Sequence, residues 1–312
     1  MSVLQATHQE SNQESVIEIQ SLTRQFEQQK ALDGINIQVK RGQVFGIVGE
    51  NGAGKTTLIK HILGLYKAQQ GSVSVFGLDP VKVPEKVLAK IGYLSESPDL
   101  PGWMTIAQYM NYMSAFYPGW DKKYADKLVE ALGFEPSKKI KNLSKGQQAR
   151  VGLCAAQAHK PELLLLDEPS SGLDPLVRKE ILSAAIRTVV DEGRTVVFSS
   201  HFLDEVERIC DHLVMFSKGK VVLSASMHDV LNKHQLVVVK ADESDTIDWK
   251  ELPGFLKASQ KRGEWSINCY TDSETLLECI NTLNCEVLEH RLMNINEIFI
   301  ARCPDVKSLD GE

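Results

Sequence analysis

One run, Gly49-Glu50-Asn51-Gly52-Ala53-Gly54-Lys55-Thr56, constrains this chain more than any other stretch. It fits G-x-x-x-x-G-K-S/T. A continuous apolar segment at 44–48 precedes it, and Thr57, Leu58, Ile59, Ile62 and Leu63 follow at helical spacing. The apolar segment suits a strand buried on both faces, so the run joins a central strand to a helix. Its glycines let successive backbone N–H groups turn inward, and the helix start adds the positive end of its dipole. Both features favour phosphate oxygens. Lys55 is then placed to reach β- and γ-phosphates, and the Thr56 hydroxyl to hold Mg²⁺. A plain glycine turn would not need Lys55 and Thr56 at that offset.

A second constellation follows further along. Residues 163–166 are all leucine and run directly into Asp167 and Glu168. In open α/β sheets ligands gather beyond the carboxyl ends of the strands. Asp167 is placed there to support Mg²⁺, directly or through a water, and Glu168 to orient or deprotonate an attacking water. Alone, the pair reads equally well as a solvated acidic helix start; beside the phosphate loop that reading loses ground. His201 follows a buried strand at 195–198 through Ser199 and Ser200. A histidine in that position is ordinarily a loop residue. In this arrangement it is placed to touch a γ-phosphate and to fix the water and Glu168.

Strand and helix patterns alternate along the chain, which implies an α/β fold with a mostly parallel sheet. Alternating strands are expected at 16–19 and 35–39, and a helical insert at about 97–143 that is interrupted by Phe116-Tyr117-Pro118-Gly119-Trp120-Asp121. A further helical stretch starts after Pro175. Beyond residue 232 the character changes, with strands at 236–239, 265–270 and 286–291 and a helix at 273–283. The expected organisation is therefore a polar tail at 1–15, a nucleotide-binding domain at 16–232 and a small C-terminal α/β appendage at 233–312. No internal repeat is visible, so there is one copy of the nucleotide machinery.

Composition narrows the partners. The 312 residues carry 35 basic and 41 acidic side chains, for a net charge of −6, which speaks against holding a nucleic-acid backbone by bulk charge. No stretch approaches the roughly 20 apolar residues of a membrane helix. The N-terminus lacks the basic start and apolar core of a secretory signal. None of the six cysteines forms a C-x-x-C pair, so free thiols in a reducing cytosol are expected rather than a zinc site or disulfide.

The chain resembles the ABC ATPases. Leu143-Ser144-Lys145-Gly146-Gln147-Gln148 resembles their signature motif, L-S-G-G-Q, with Lys145 where glycine is usual. Ser171-Gly172-Leu173-Asp174 resembles the D-loop, and His201 sits where the switch histidine belongs. Ile91-Gly92-Tyr93-Leu94-Ser95-Glu96 looks like the Q-loop, with Glu96 in place of the commoner glutamine. Phe26 stands where family members stack an aromatic on adenine; its other reading is a core or edge aromatic.

The resemblance implies a P-loop NTPase sheet with an antiparallel β subdomain and the helical insert. It implies ATP hydrolysis with Glu168 and His201 as catalytic residues. ATP would be bound by Phe26, by Gly49 to Thr57, and by Glu96, Ser144, Gly146, Gln147 and Asp174. Mg²⁺ would be held by Thr56, Glu96 and Asp167. Two chains would sandwich two ATP molecules head to tail, Ser144, Gly146 and Gln147 of one closing the phosphate loop of the other. Glu96, the 116–121 segment and the closing Asn294-Ile295-Asn296-Glu297-Ile298-Phe299 look like one bacterial exporter subgroup with separate membrane-spanning permease subunits. Such a chain sits peripherally on the inner face of the cell membrane. The competing reading is a soluble ABC ATPase acting on ribosomes or nucleic acid, but those generally carry tandem halves, a long coiled coil or zinc insertions. The C-terminal appendage is open between ligand sensing and a dimerisation or packing role.

Overall fold

A computed structural model describes residues 14–169, 193–240, 247–261, 263–283 and 285–303. The apolar runs become the strands of a six-stranded sheet: β3 (Val44–Gly49), β5 (Ile91–Leu94), β6 (Leu163–Asp167), β7 (Thr195–Ser200), β8 (His212–Ser217) and β9 (Lys220–Ser226). Their spatial order is β5-β6-β7-β3-β8-β9. All neighbours pair parallel except the β8–β9 hairpin. The continuous apolar runs make sense because both faces of the sheet are covered. Leu163 and Leu165 join Phe45, Ile47, Val197 and Val214 in one core, whereas Leu164 and Leu166 join Val44, Val48, Val196 and Phe198 in another.

The first core is closed by an antiparallel sheet of β1 (Ser15–Phe26), β2 (Gln29–Lys40) and β4 (Gln70–Val75), in the order β2-β1-β4, and by α1 (Lys55–Ile62). On β2 the expected alternation holds: Ile35, Ile37 and Val39 are buried while Asn36 and Gln38 are exposed. The second core is closed by α5 (Lys145–Gln157) and α6 (Leu203–Ile209). Gly92 on β5 admits α5 closely, since a Cβ there would lie 2.1 Å from the Ala156 carbonyl oxygen.

Between β5 and β6 comes a short helix-rich insert. It contains α3 (Ile106–Ser114), α4 (Lys122–Ala131) and a 3-10 turn at Ile140–Asn142 ahead of α5; α2 (Pro84–Leu88) lies before β5. Thr105 and Gln108 form a reciprocal capping box on α3. The 116–121 segment fastens the insert to the far end of α5. Tyr117 stacks on His159 at 3.9 Å, Asp121 N–H donates to Ala158 O at 3.0 Å, and Asp121 pairs with Lys160 at 2.9 Å.

After α7 (Met227–Lys233) the chain forms an antiparallel sheet of β10 (His234–Lys240), β11 (Phe255–Lys261), β12 (Glu264–Tyr270) and β13 (Glu286–Leu292), ordered β11-β12-β10-β13. Helix α8 (Ser273–Asn281) covers it, and Val237, Val239, Ile267, Leu276 and Ile280 fill a separate small core. The last helix, α9 (Ile295–Arg302), does not join that core. Its Ile295, Ile298 and Phe299 pack with Val206 and Leu213 against the six-stranded sheet. The helix expected after Pro175 lies outside the described residues.

Two histidines are buried at these junctions. His159 Nε2 lies 3.1 Å from Ile91 O, and His234 Nε2 accepts from Arg302 Nε at 3.1 Å. Burial, with the nearby charges of Arg194 and Arg302 respectively, holds both imidazoles down to about 4, against an ordinary 6.5. The unfolded chain therefore takes up protons between about 6.5 and about 4 that the folded chain refuses. Stability contributed by these groups is complete above the unfolded value and falls with pH through that window. Thermal unfolding scans from pH 7 to pH 5 are expected to show a falling midpoint, with a shallower fall in the His159→Gln, His234→Gln double variant. An equally steep fall in that variant would contradict this account.

Candidate active site

Every residue of β3 is buried, and the chain leaves it at Gly49 to form the phosphate loop. Gly54 precedes α1 at φ +112°, a conformation that favours glycine, and a Cβ there would lie 2.4 Å from Ala31 O. The loop is held by Ala53 N–H to Glu50 O at 3.1 Å and by Gly219 N–H, from the β8–β9 turn, to Ala53 O at 3.1 Å. Lys55, the first residue of α1, is only 5% exposed and donates back to Gly49 O at 2.6 Å and Glu50 O at 3.2 Å. A cavity of about 390 Å³ opens over the loop, lined by Ala31, Glu50, Asn51, Gly52, Gly54, Lys55, Thr56, Thr57, Glu96 and Glu168. Gly49 and Ala53 shape the loop from behind it.

The parallel pairing of β6 with β7 sets Asp167 beside Ser199. Ser199 Oγ donates to Asp167 Oδ1 at 2.8 Å and accepts from Glu168 N–H at 2.9 Å. Thr56 Oγ1 donates to the same Asp167 oxygen at 3.2 Å. Burial pushes the Asp167 carboxyl above the usual range, opposed by these two hydroxyls and reinforced by the charges of Glu168 and Glu96. Glu168 sits at φ +48°, a left-handed conformation unusual for a residue with a side chain. From there its Oε1 lies 2.9 Å from Lys55 Nζ and its Oε2 lies 2.6 Å from His201 Nδ1. A carboxylate oxygen accepts, so Nδ1 carries the proton of that contact.

The structure thus sets Lys55, Thr56, Glu96 and Glu168 on the lining of one opening, with Asp167 bonded to Thr56 and His201 bonded to Glu168. Chemically this offers a cation for phosphate oxygens, hard oxygen ligands for a divalent ion, and a carboxylate oriented by an imidazole. Ser144, Gly146 and Gln147 are not among the residues lining that opening. Ser144 caps α5 in a reciprocal box with Gln147, and Ser144 and Lys145 are exposed. Phe26, at the end of β1, is 38% exposed and also lies off the lined cavity. Asp174 lies outside the described residues.

Sequence reasoning missed two contributors. Ala31 acts through its backbone and leaves no chemical trace. Ser199 did leave one: it is a polar residue, 0% exposed, at the carboxyl end of an apolar strand. Ser199→Ala strands the buried Glu168 amide and takes from the Asp167 oxygen one of its two hydroxyl donors, leaving it Thr56. A loss of about 1–3 kcal/mol in urea unfolding is expected, and an unshifted midpoint would show that the hydroxyl does not organise the carboxylates.

Comparison with known proteins agrees with this geometry. Residues 32–171 match the ABC transporter family. The chain is 37% identical over 262 residues to the uncharacterized ABC transporter ATP-binding protein YhaQ of Bacillus subtilis (strain 168), spanning 78% of this chain and 85% of that one. It is 31% identical over 256 residues to the bacitracin transport ATP-binding protein BcrA of Enterococcus faecalis, spanning 81% and 82%. Among solved structures it matches the ATP-binding subunit of an ABC transporter with a TM-score of 0.61 at 28% identity, over 69% of this chain and 91% of the other. The chain belongs to the ABC transporter family as one of its ATP-binding, ATP-hydrolysing subunits.

Proposed function

We propose that two copies of this chain close head to tail around ATP and that closure powers export through separate membrane-spanning subunits. One observation carries the reading. Lys55, Thr56, Asp167, Glu168 and His201 assemble within one chain, while Ser144 and Gly146 at the capped start of α5 do not line the cavity over the phosphate loop, and Ser144 is exposed. A helix N-terminus offers N–H donors and a positive dipole end to an anion. Supplied by a second copy, it completes the cover over a γ-phosphate.

In this reading, entering phosphate oxygens compete with Glu168 for the Lys55 ammonium, and the carboxylate released from that pairing turns to water. His201 holds Glu168 from the other side and keeps it aimed. The Glu168 backbone is fixed by Ser199, so the carboxylate needs little rearrangement to act. Mg²⁺ suits the oxygen donors present: Thr56 and Asp167 share one hydrogen bond, and Glu96 faces the same cavity. When bound there, it neutralises charge on the phosphate oxygens. Among the described residues no three His, Cys, Asp or Glu side chains converge as a metal cage.

Among the described residues no helix is long and apolar enough to cross a membrane. The face offered to a membrane partner, in this proposal, is the helical insert. There Tyr112 and Phe116 are exposed at 47% and 60% and meet edge to face at 5.1 Å, and Trp103 ahead of α3 is exposed at 70%. Large exposed aromatics grouped in this way mark interaction sites. The chain would then sit on the inner face of the membrane, its cargo chosen by the partner. The bacitracin-transport relative supports an envelope-active peptide or drug as cargo. The test is a pull-down of the tagged Glu168→Gln chain from detergent-solubilised host membranes. A stoichiometric polytopic membrane protein is expected; recovery with ribosomes or DNA, or of the chain alone, would overturn the transport proposal.

A further inference from the structure

We infer that Arg24 and Tyr66 are positioning residues for the nucleotide base, clamping one side of the Phe26 ring so that its open side is held out to adenine. The inference rests on the reading of Phe26 as the adenine stack. Arg24 and Phe26 are two residues apart on β1 and so share a face of the strand. The Arg24 guanidinium carbon lies 4.7 Å from the centre of the Phe26 ring and 4.9 Å from the centre of the Tyr66 ring. The two rings meet edge to face at 5.7 Å. A guanidinium inside 6 Å of two aromatic faces is attracted by both. Its Nη1 donates weakly to Lys67 O at 3.4 Å, and its buried Nε has no hydrogen-bond partner among the described residues. Stacking and that one carbonyl hold it in place.

Tyr66 is itself fixed to the phosphate-binding helix. Just beyond α1, Leu65 N–H and Tyr66 N–H both donate to Lys60 O, and the Tyr66 ring meets the ring of His61 edge to face at 5.5 Å. His61 is fully buried on α1 and its Nδ1 lies 2.8 Å from Thr57 O. On the other flank, Gln25 and Gln69 exchange two hydrogen bonds, at 2.6 and 3.1 Å, tying β1 to the segment after Tyr66. A chain of contacts therefore runs from Phe26 through Arg24, Tyr66 and His61 to the helix that begins with Lys55 and Thr56. It fixes the distance between the base platform and the phosphate grip. Phe26 remains 38% exposed, which leaves area for a base.

The experiment compares wild type, Arg24→Met, Arg24→Lys and Phe26→Ala. It measures KM and kcat for MgATP and the inhibition constant of inorganic tripolyphosphate, which has no base. Arg24→Met is expected to raise KM for ATP about two- to five-fold, with kcat and tripolyphosphate inhibition unchanged. Arg24→Lys, which keeps the cation, is expected to recover part of the loss. If Phe26→Ala raises KM and Arg24→Met does not, the clamp is overturned and the stacking role stands. An equal loss of tripolyphosphate binding in Arg24→Met would also overturn it, because the effect would then lie at the phosphates. A wild-type KM in Phe26→Ala would sink the adenine reading and the clamp together.

Discussion

Glu168→Gln is expected to lower ATP turnover by about 10²- to 10⁴-fold while ATP remains bound as tightly as before or tighter. The amide keeps the size of the carboxylate, but its single oxygen can accept from Lys55 or from His201 and not from both. It cannot take a proton from water. Lys55 Nζ lies 2.9 Å from Glu168 Oε1, so removing the charge also removes the competitor that phosphate oxygens must displace. The backbone at φ +48° remains held by Ser199, and the substitution leaves that hydrogen bond alone. Phosphate release and equilibrium dialysis on the same preparation separate the two effects. Turnover within a few-fold of wild type would remove Glu168 from the chemistry.

Lys55→Ala should act on the other side of that division, weakening ATP binding itself by about 10²-fold or more. Truncating one partner of a buried charge pair costs about 2–5 kcal/mol. Here the ammonium is 5% exposed and is spent on Gly49 O, Glu50 O and Glu168. The variant loses the cation that phosphate would share, and it leaves the Glu168 carboxylate with the His201 hydrogen bond but without the ammonium on its other oxygen. The two variants together form a test of roles: one binds and does not turn over, the other does not bind. Undiminished affinity in Lys55→Ala would count against the phosphate loop.

The site was legible where chemistry demands fixed spacing. A Lys and a Thr behind a glycine turn, or two carboxylates ending a strand of leucines, leave few alternatives. The strands at 44–49 and 163–167 were legible because burial on both faces demands an unbroken apolar run, and Leu163 to Leu166 do divide alternately between the two cores. The strand Gln70–Val75 was not, because only Val75 is fully buried. The hairpin strand His212–Ser217 was missed for a different reason: an apolar run that short cannot be told from a buried helix segment by periodicity alone. The final helix carried its own signal, since Asn294 and Glu297 form the reciprocal cap that an N-x-x-E pattern announces. The Arg24 stack lay beyond reach. Tyr66 meets it only because the chain after α1 folds back along β1, a contact 42 residues distant in sequence (66 − 24) that no local pattern encodes.

The most direct test of the account is the mass in solution of the Glu168→Gln chain, measured by light scattering with and without MgATP. The head-to-tail closure over Lys55 and Ser144 predicts one chain without nucleotide and two chains with it. A one-chain mass in both, at ATP concentrations shown by dialysis to fill the site, would contradict it.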